Sequence, residues 1–154
     1  MRLTSYTDYS FRVLIYLGMR QGRLSTIREI SQSYGISRHH LVKVVHFLGT
    51  LGYVHTMRGK NGGVVLAMAP EAINLGEVAR ATEDNFHLVE CFDAEAGHCR
   101  ITSACRLQSI LDEALEAFLG VLDRFTLAAL LTDPATLSRL LGVPVHVEHP
   151  RPQA

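Results

Sequence analysis

All three cysteines of this chain fall within one stretch, "VECFDAEAGHCRITSACRL": Cys91, Cys99 and Cys105, spaced C-x7-C-x5-C. An odd number of thiols leaves one over in any disulfide scheme. Thiolates are soft ligands, and three of them in a reducing compartment suit zinc or an iron–sulfur cluster. A lone buried cysteine usually packs as a small hydrophobe. Three in one loop, interleaved with "DAEAGH" and "RITSA", do not read as core packing. Zinc sites favour close C-x2–4-C pairs, which this loop lacks, whereas the wider gaps leave slack for a larger object than one ion. The spacing favours a cluster and leaves zinc open. Three thiolates leave one corner of a four-iron cluster without a ligand, and His98, Glu90, His87 and Asp8 are the candidate donors. Asp8 has a plainer role available, because Ser5-Tyr6-Thr7-Asp8 fits the [ST]-x-x-[DE] capping box. His146 and His149 in "VHVEHPRPQA" are minor metal candidates, a frayed terminus being the simpler reading.

The elements that must position these groups come from 154 residues, 47% of them hydrophobic, enough for a core. The N-terminal "MRLTSYTDYSFRVLIYLGMR" is interrupted by Asp8 and Arg12 and shows no cleavage-site pattern. No uncharged apolar run reaches the ~20 residues of a membrane span. The expectation is a cytoplasmic protein with no membrane partner, where clustered thiols bind metal or react rather than cross-link. Net charge is zero, yet residues 1–70 hold nine Lys/Arg against Asp8 and Glu29, a balance of +7, and the remainder stands at −7. A basic half joined to an acidic half suggests that only the first meets nucleic acid.

In the basic half, Ser5 to Arg20 predicts a helix capped by Ser5 or Thr4, with Phe11, Leu14, Ile15 and Gly18 at helical spacing. Thr26 caps a second, Ile27–Tyr34, followed by Gly35. Ser37 caps a third, running to about Leu51, in which Leu41, Val44, Val45, Leu48 and Leu51 form one buried stripe. Arg38, His39 and Lys43 face away from that stripe, with His40 and His46 toward its margins. Two short helices joined by "YGIS", the second with a basic N-terminal end, predict a helix-turn-helix whose second helix enters the major groove. "YVHTMRGKNGGVVLAM" then predicts a hairpin turning at Asn61-Gly62-Gly63, a wing with Arg58 and Lys60 at its tip. "RGKNGG" fits neither common nucleotide-phosphate spacing. Direct base contact is assigned to Ser37, Arg38, His39, His40 and Lys43. Arg58, Lys60, Asn61, Gly62 and Gly63 are placed against phosphate or minor groove, and Arg28 against backbone.

In the acidic half, Asn74 caps a short helix, Leu75–Ala81. From Leu107 through Phe125 an apolar periodicity predicts one long amphipathic helix, roughly Ser103 to Leu131 and about 40 Å long. Its wide apolar face is most economically buried against the same helix of a second chain, as a two-fold homodimer. Asp133-Pro134 starts a last short helix ending at Gly142. The fold class expected is mainly α with a small β-hairpin wing: a winged helix-turn-helix plus a long dimerisation helix. Residues 1–83 form the DNA-binding region, 84–106 the cysteine-bearing loop, 107–142 the dimerisation helix and short final helix, and 143–154 a flexible tail.

The stretches "LTSYTDYSFRVLIYL", "YGISRHHLVKVVHFLGTLGYV", "RGKNGG", "LVEC" and "CRITSACRL", followed by the long helix, together carry a specific resemblance over residues 1–131. The chain resembles the NsrR-like nitric-oxide-sensing repressors among the winged-helix iron–sulfur regulators, a superfamily that also includes IscR-like members. The resemblance implies a homodimer with one cluster per subunit, [4Fe–4S] in preference to [2Fe–2S], held by Cys91, Cys99, Cys105 and Asp8 of the partner subunit. It implies binding to double-stranded operator DNA, release when nitric oxide nitrosylates the cluster, and expression of nitric-oxide detoxification genes. IscR-like members carry a histidine three residues after the last cysteine. Here that residue is Gln108, which favours Asp8. The competing reading is a zinc-stabilised or IscR-like winged-helix regulator not dedicated to nitric oxide. An enzyme is not expected, since no nucleophile, base and oxyanion donor converge in the sequence.

Overall fold

The computed structural model describes residues 2–93, 95 and 98–144. His146 and His149 lie outside the described residues. The first helix, α1, spans Ser5–Met19 and is capped by Thr4, whose hydroxyl accepts the Thr7 N–H. This corrects the capping box expected from Ser5 to Asp8. With Thr4 as cap, Asp8 sits one position too far along to reach the cap amide, and its carboxylate turns to Arg12 instead. Helix α2, Ile27–Tyr34, does begin with a capping box: Thr26 Oγ1 accepts from the Glu29 N–H, and the Glu29 carboxylate accepts from the Thr26 N–H at 2.6 Å.

Gly35, at φ 67°, then turns the chain in the left-handed region. The Ser31 hydroxyl donates to the Ile36 carbonyl at 2.6 Å, and this bond fixes the turn into α3, Arg38–Thr50. Strands β1, Val54–Met57, and β2, Gly63–Leu66, pair antiparallel with Val54 opposite Leu66 and Met57 opposite Gly63. Ser25, just before α2, exchanges two backbone bonds with Val64 at 2.8 and 2.9 Å, so the wing is stitched to the helix-turn-helix.

Within the hairpin the left-handed residue is Gly59, at φ 107°, and not the expected Asn61-Gly62-Gly63. Gly62 and Gly63 serve close approach. A Cβ on Gly62 would meet the Met57 carbonyl, and one on Gly63 would stand 2.9 Å from the Ser25 carbonyl.

Helix α4, Leu75–Thr82, is capped by Asn74 and is followed by the cysteine segment, which holds 3-10 turns at Glu90–Phe92 and Thr102–Ala104. Helix α5 spans Arg106–Leu122, about 25 Å at 1.5 Å per residue. This corrects the single helix expected to Leu131. The chain breaks after Leu122 and resumes as α6, Leu127–Leu130, and α7, Pro134–Leu141. The break is made from outside the helix. Leu75 N–H donates to Phe125, Leu127 N–H donates to Ile73, and Asn74 Nδ2 donates to the Asp123 carbonyl at 2.7 Å.

One core joins these elements. It takes Val13, Leu14, Tyr16 and Leu17 from α1, Ile30 from α2, and Leu41, Val44, Val45 and Leu48 from α3. Ile36 and Tyr53, Val54 and Val64 of the wing, Ile73, Val78, Leu127 and Val143 complete it. Val143 therefore packs with the body, although the tail was expected to start there. Among the described residues, no helix is long and apolar enough to cross a membrane.

Candidate functional site

Two regions carry the chemistry. The first is the face made by α3 and the wing. Arg28, Ser37, Arg38, His39, His40, Lys43, Arg58, Lys60 and Asn61 are all exposed there, and Gly62 and Gly63 are half-buried beneath them. Burial works against the Glu29 carboxylate, yet its bonds from Thr26 and the Arg20 and Arg28 charges hold its carboxyl below the usual range. Arg38, Lys43, Arg58 and Lys60 have no carboxylate partner among the described residues, so their charge is free to meet an anion. Ser37 occupies the cap position of α3, but its hydroxyl makes no capping bond.

Helical phase sorts the α3 side chains. His39, Val42, Lys43 and His46 share the solvent-facing arc opposite Leu41, Val44 and Leu48. His40 turns toward α1 and stacks on Tyr9, with ring centroids 6.1 Å apart. It is exposed but set apart from the arc, whereas His46, expected at a margin, lies within it. Tyr6 of α1 donates its hydroxyl to the Lys43 carbonyl at 3.2 Å and packs edge-on against Phe47. On α2, beside Tyr16 and under the Arg12 guanidinium, Tyr34 is pushed up to about 12 by burial, so its phenol stays neutral.

The second region is the cysteine segment, 84–106. Cys91 is half-buried in the turn Glu90–Phe92, Cys99 is exposed, and Cys105 is half-buried immediately before α5; none is in a disulfide. A cavity of about 370 Å³ lies beside Cys91, lined by Phe86, His87, Phe92, Gln108, Asp112 and Leu115. Gln108 donates from Nε2 to the Cys91 carbonyl at 3.3 Å. This ties the turn bearing Cys91 to the end of α5 that follows Cys105. The His98 N–H donates to the Glu90 carboxylate at 3.0 Å, closing the loop between them, and His87 Nδ1 stands 3.9 Å from Asp93 Oδ2.

The donor chemistry fits a thiophilic centre: three unbridged sulfurs on irregular chain, two of them beside one helix start. They are not gathered into a coordination sphere. Among the described residues no three His, Cys, Asp or Glu side chains group closely enough to hold a metal ion. Asp8 lies elsewhere, on α1, paired with Arg12.

The helix-turn-helix, its stitched wing and the three-cysteine segment before a packing helix narrow the comparison with known proteins. Residues 3–133 match the family model Rrf2, described as an iron-dependent transcriptional regulator. The chain belongs to the Rrf2 family. Its Rrf2 relatives include the HTH-type transcriptional regulator NsrR of Bacillus subtilis, 53% identical over 92% of this chain and 97% of that one. Among solved Rrf2-like structures, CymR, the global cysteine regulator of B. subtilis, is 27% identical with a TM-score of 0.64, covering 84% of this chain and 95% of its own. IscR of T. potens, 22% identical with a TM-score of 0.70 over 89% of this chain and 90% of its own, shares the fold. This Rrf2 chain is a DNA-binding transcriptional regulator, and its relatives are regulators rather than enzymes.

Proposed function

We propose that this chain is a cytoplasmic homodimeric repressor that binds operator DNA and senses nitric oxide through an iron–sulfur cluster. The observation that carries the reading is a continuous connection from thiols to DNA-facing helices. Cys91 is tied to α5 by Gln108, and Cys105 leads directly into α5. The far end of α5 is gripped by α4 through Arg80 and Asp123. A change of geometry at the cysteines is thereby passed along a rigid helix to the domain that bears α3.

Cys91, Cys99 and Cys105, with Asp8 of the partner subunit, would hold the group, [4Fe–4S] in preference to [2Fe–2S] and one per subunit. When bound, it supplies iron that nitric oxide attacks. The three thiols would anchor the loop beside α5, and the Asp8 carboxylate, the weakest donor of the set, would be the point at which the link between subunits fails. With the link intact, the two α3 helices are held at the spacing of one operator, about 34 Å between half-sites. With it lost, the dimer no longer matches both half-sites, DNA is released, and genes for nitric-oxide detoxification are expressed. Residues 1–83 read DNA, 84–106 carry the sensor and 107–142 dimerise.

α5 supports the dimer directly. Leu107, Ile110, Ala114, Ala117 and Val121 recur at alternating spacings of three and four, and all five are exposed. That spacing suits the seam of a two-helix coil, with small residues at its centre allowing close approach.

The test is anaerobic purification with iron and sulfide quantification, then operator binding before and after nitric oxide. A brown protein that binds tightly and lets go on exposure is expected. A colourless zinc protein, or one whose binding ignores nitric oxide, overturns the reading.

A further inference from the structure

Helix α3 buries four aliphatic side chains, Leu41, Val44, Val45 and Leu48, and leaves a fifth, Val42, 51% exposed. At 3.6 residues per turn, Val42 shares one arc with Arg38 a turn before it and His46 a turn after it. His39 and Lys43 flank it, and all four neighbours are exposed. Val42 also edges a groove of about 470 Å³ between α3 and β1, where Ile27, Val45 and Val54 are further lining residues. An isopropyl group half exposed beside the Arg38 and Lys43 charges, on a face that suits a polyanion, has apolar surface left for a partner.

In the major groove the distinctive apolar feature of a base edge is the thymine C5-methyl group. We infer that Val42 is a specificity-determining residue that packs against a thymine methyl in each operator half-site. The inference rests on α3 being the DNA-reading helix. Side chains one helical turn apart are separated by about 5.4 Å, and stacked bases by about 3.4 Å. The thymine therefore lies within two base steps of the base met by Arg38.

The experiment selects tight-binding duplexes from a random pool with the full chain, prepared anaerobically. Each thymine of one half-site is then replaced singly by deoxyuridine, which removes only the methyl. Wild type is expected to lose affinity about fourfold at one position, the worth of one buried methyl group. Val42→Ala is expected to bind the parent duplex weaker by about the same factor and to lose nothing more at that position. The substitution is at an exposed site and alanine favours helix, so thermal melting should match wild type.

A selected half-site without a constant thymine near the Arg38 contact overturns the inference. So does insensitivity of wild type to every deoxyuridine, or retention of full sensitivity by Val42→Ala. Arg38→Ala and Lys43→Ala separate the two levels. If both bind the selected duplex as tightly as wild type, α3 does not read DNA and both readings fall. If they lose binding while Val42→Ala keeps the wild-type deoxyuridine pattern, only the thymine contact falls.

Discussion

Arg80 on α4 meets Asp123 at the end of α5 through two parallel bonds, Nη1 to Oδ1 at 2.5 Å and Nη2 to Oδ2 at 2.8 Å. The Arg80 bonds hold the Asp123 carboxyl below the usual range. A depressed carboxylate stabilises above its unfolded value of 3.8 and loses that contribution as pH falls through the folded value. Melting temperature should therefore fall less steeply below about pH 4 in Asp123→Asn than in wild type. Gly76 sits under this pair, where a Cβ would collide with the Asp123 carboxylate. In Gly76→Ala the Asp123 resonance should titrate closer to its ordinary range, as NMR would show. An unchanged titration would mean that the pair accommodates the methyl.

That clamp also lies where the sequence carries no local signal of the structure. Helices α1 to α4, α7 and the wing announce themselves through short-range signals: Thr26, Asn74 and Asp133 as caps of α2, α4 and α7, Gly35 as a left-handed stop, and the buried stripe of α3. The end of α5 has no such signal. Apolar periodicity runs on past Leu122, and no proline or glycine stands at Asp123–Thr126. The break depends on Asn74, Leu75 and Ile73, about fifty residues away in sequence, and a non-local bond leaves no local trace. Likewise the sequence points to which residues of α3 are polar, but the ring of Tyr9 decides that His40 stacks on α1. The thiols are legible as a donor set because their chemistry is in the residue type. Their arrangement in space is not: among the described residues the three sulfurs are not gathered into a coordination sphere, and no local pattern in the sequence says so.

Free cations on the wing tip should show in the salt dependence of operator binding. Each phosphate neutralised contributes about 0.9 to the slope of log affinity against log salt. Lys60→Ala should lower the slope by about one, and Arg58→Ala by about the same. Arg139, exposed on α7, is the control, and Arg139→Ala should leave it unchanged. A wild-type slope in Lys60→Ala would remove that residue from the interface.

The two adjacent histidines of α3 should separate cleanly. His39 lies on the solvent-facing arc, so His39→Ala should weaken operator binding about tenfold, within the range of one lost base contact. His40 is stacked on Tyr9, so His40→Ala should change affinity less than about threefold while lowering the melting temperature. Equal losses of affinity would mean that His40 swings onto DNA in the complex.

Asp8 is held by Arg12, Nε to Oδ1 at 3.1 Å and Nη2 to Oδ2 at 2.8 Å, both side chains being close to half exposed. A surface pair one turn apart is worth about 0.5 kcal/mol or less, so Asp8→Ala should fold normally. As a cluster ligand, Asp8 would contribute a bond the thiols cannot replace. The variant should keep its iron and sulfide content yet bind operator weakly even before nitric oxide is added, and respond little to it, because the link between subunits is already missing. Normal binding and normal release in Asp8→Ala would leave Asp8 as a partner of Arg12 only.

The exposed seam of α5 makes the proposed dimer accessible to a single substitution. Ala114 is at its centre, flanked by Ile110 and Ala117, and it faces solvent in the isolated chain. A glutamate there is harmless to a monomer, since the position is exposed and glutamate is a good helix former. In a symmetric coil the same glutamate meets its own copy across the two-fold axis, where like charges on an apolar seam are strongly unfavourable. Ala114→Glu should therefore halve the mass measured by light scattering while leaving the circular dichroism of the wild type. Operator affinity should fall by at least tenfold, because each half-site would then be bound alone. A variant that keeps the wild-type mass would place the subunit contact on another face of the molecule, and the link from Cys105 through α5 to the spacing of the α3 helices would fail with it.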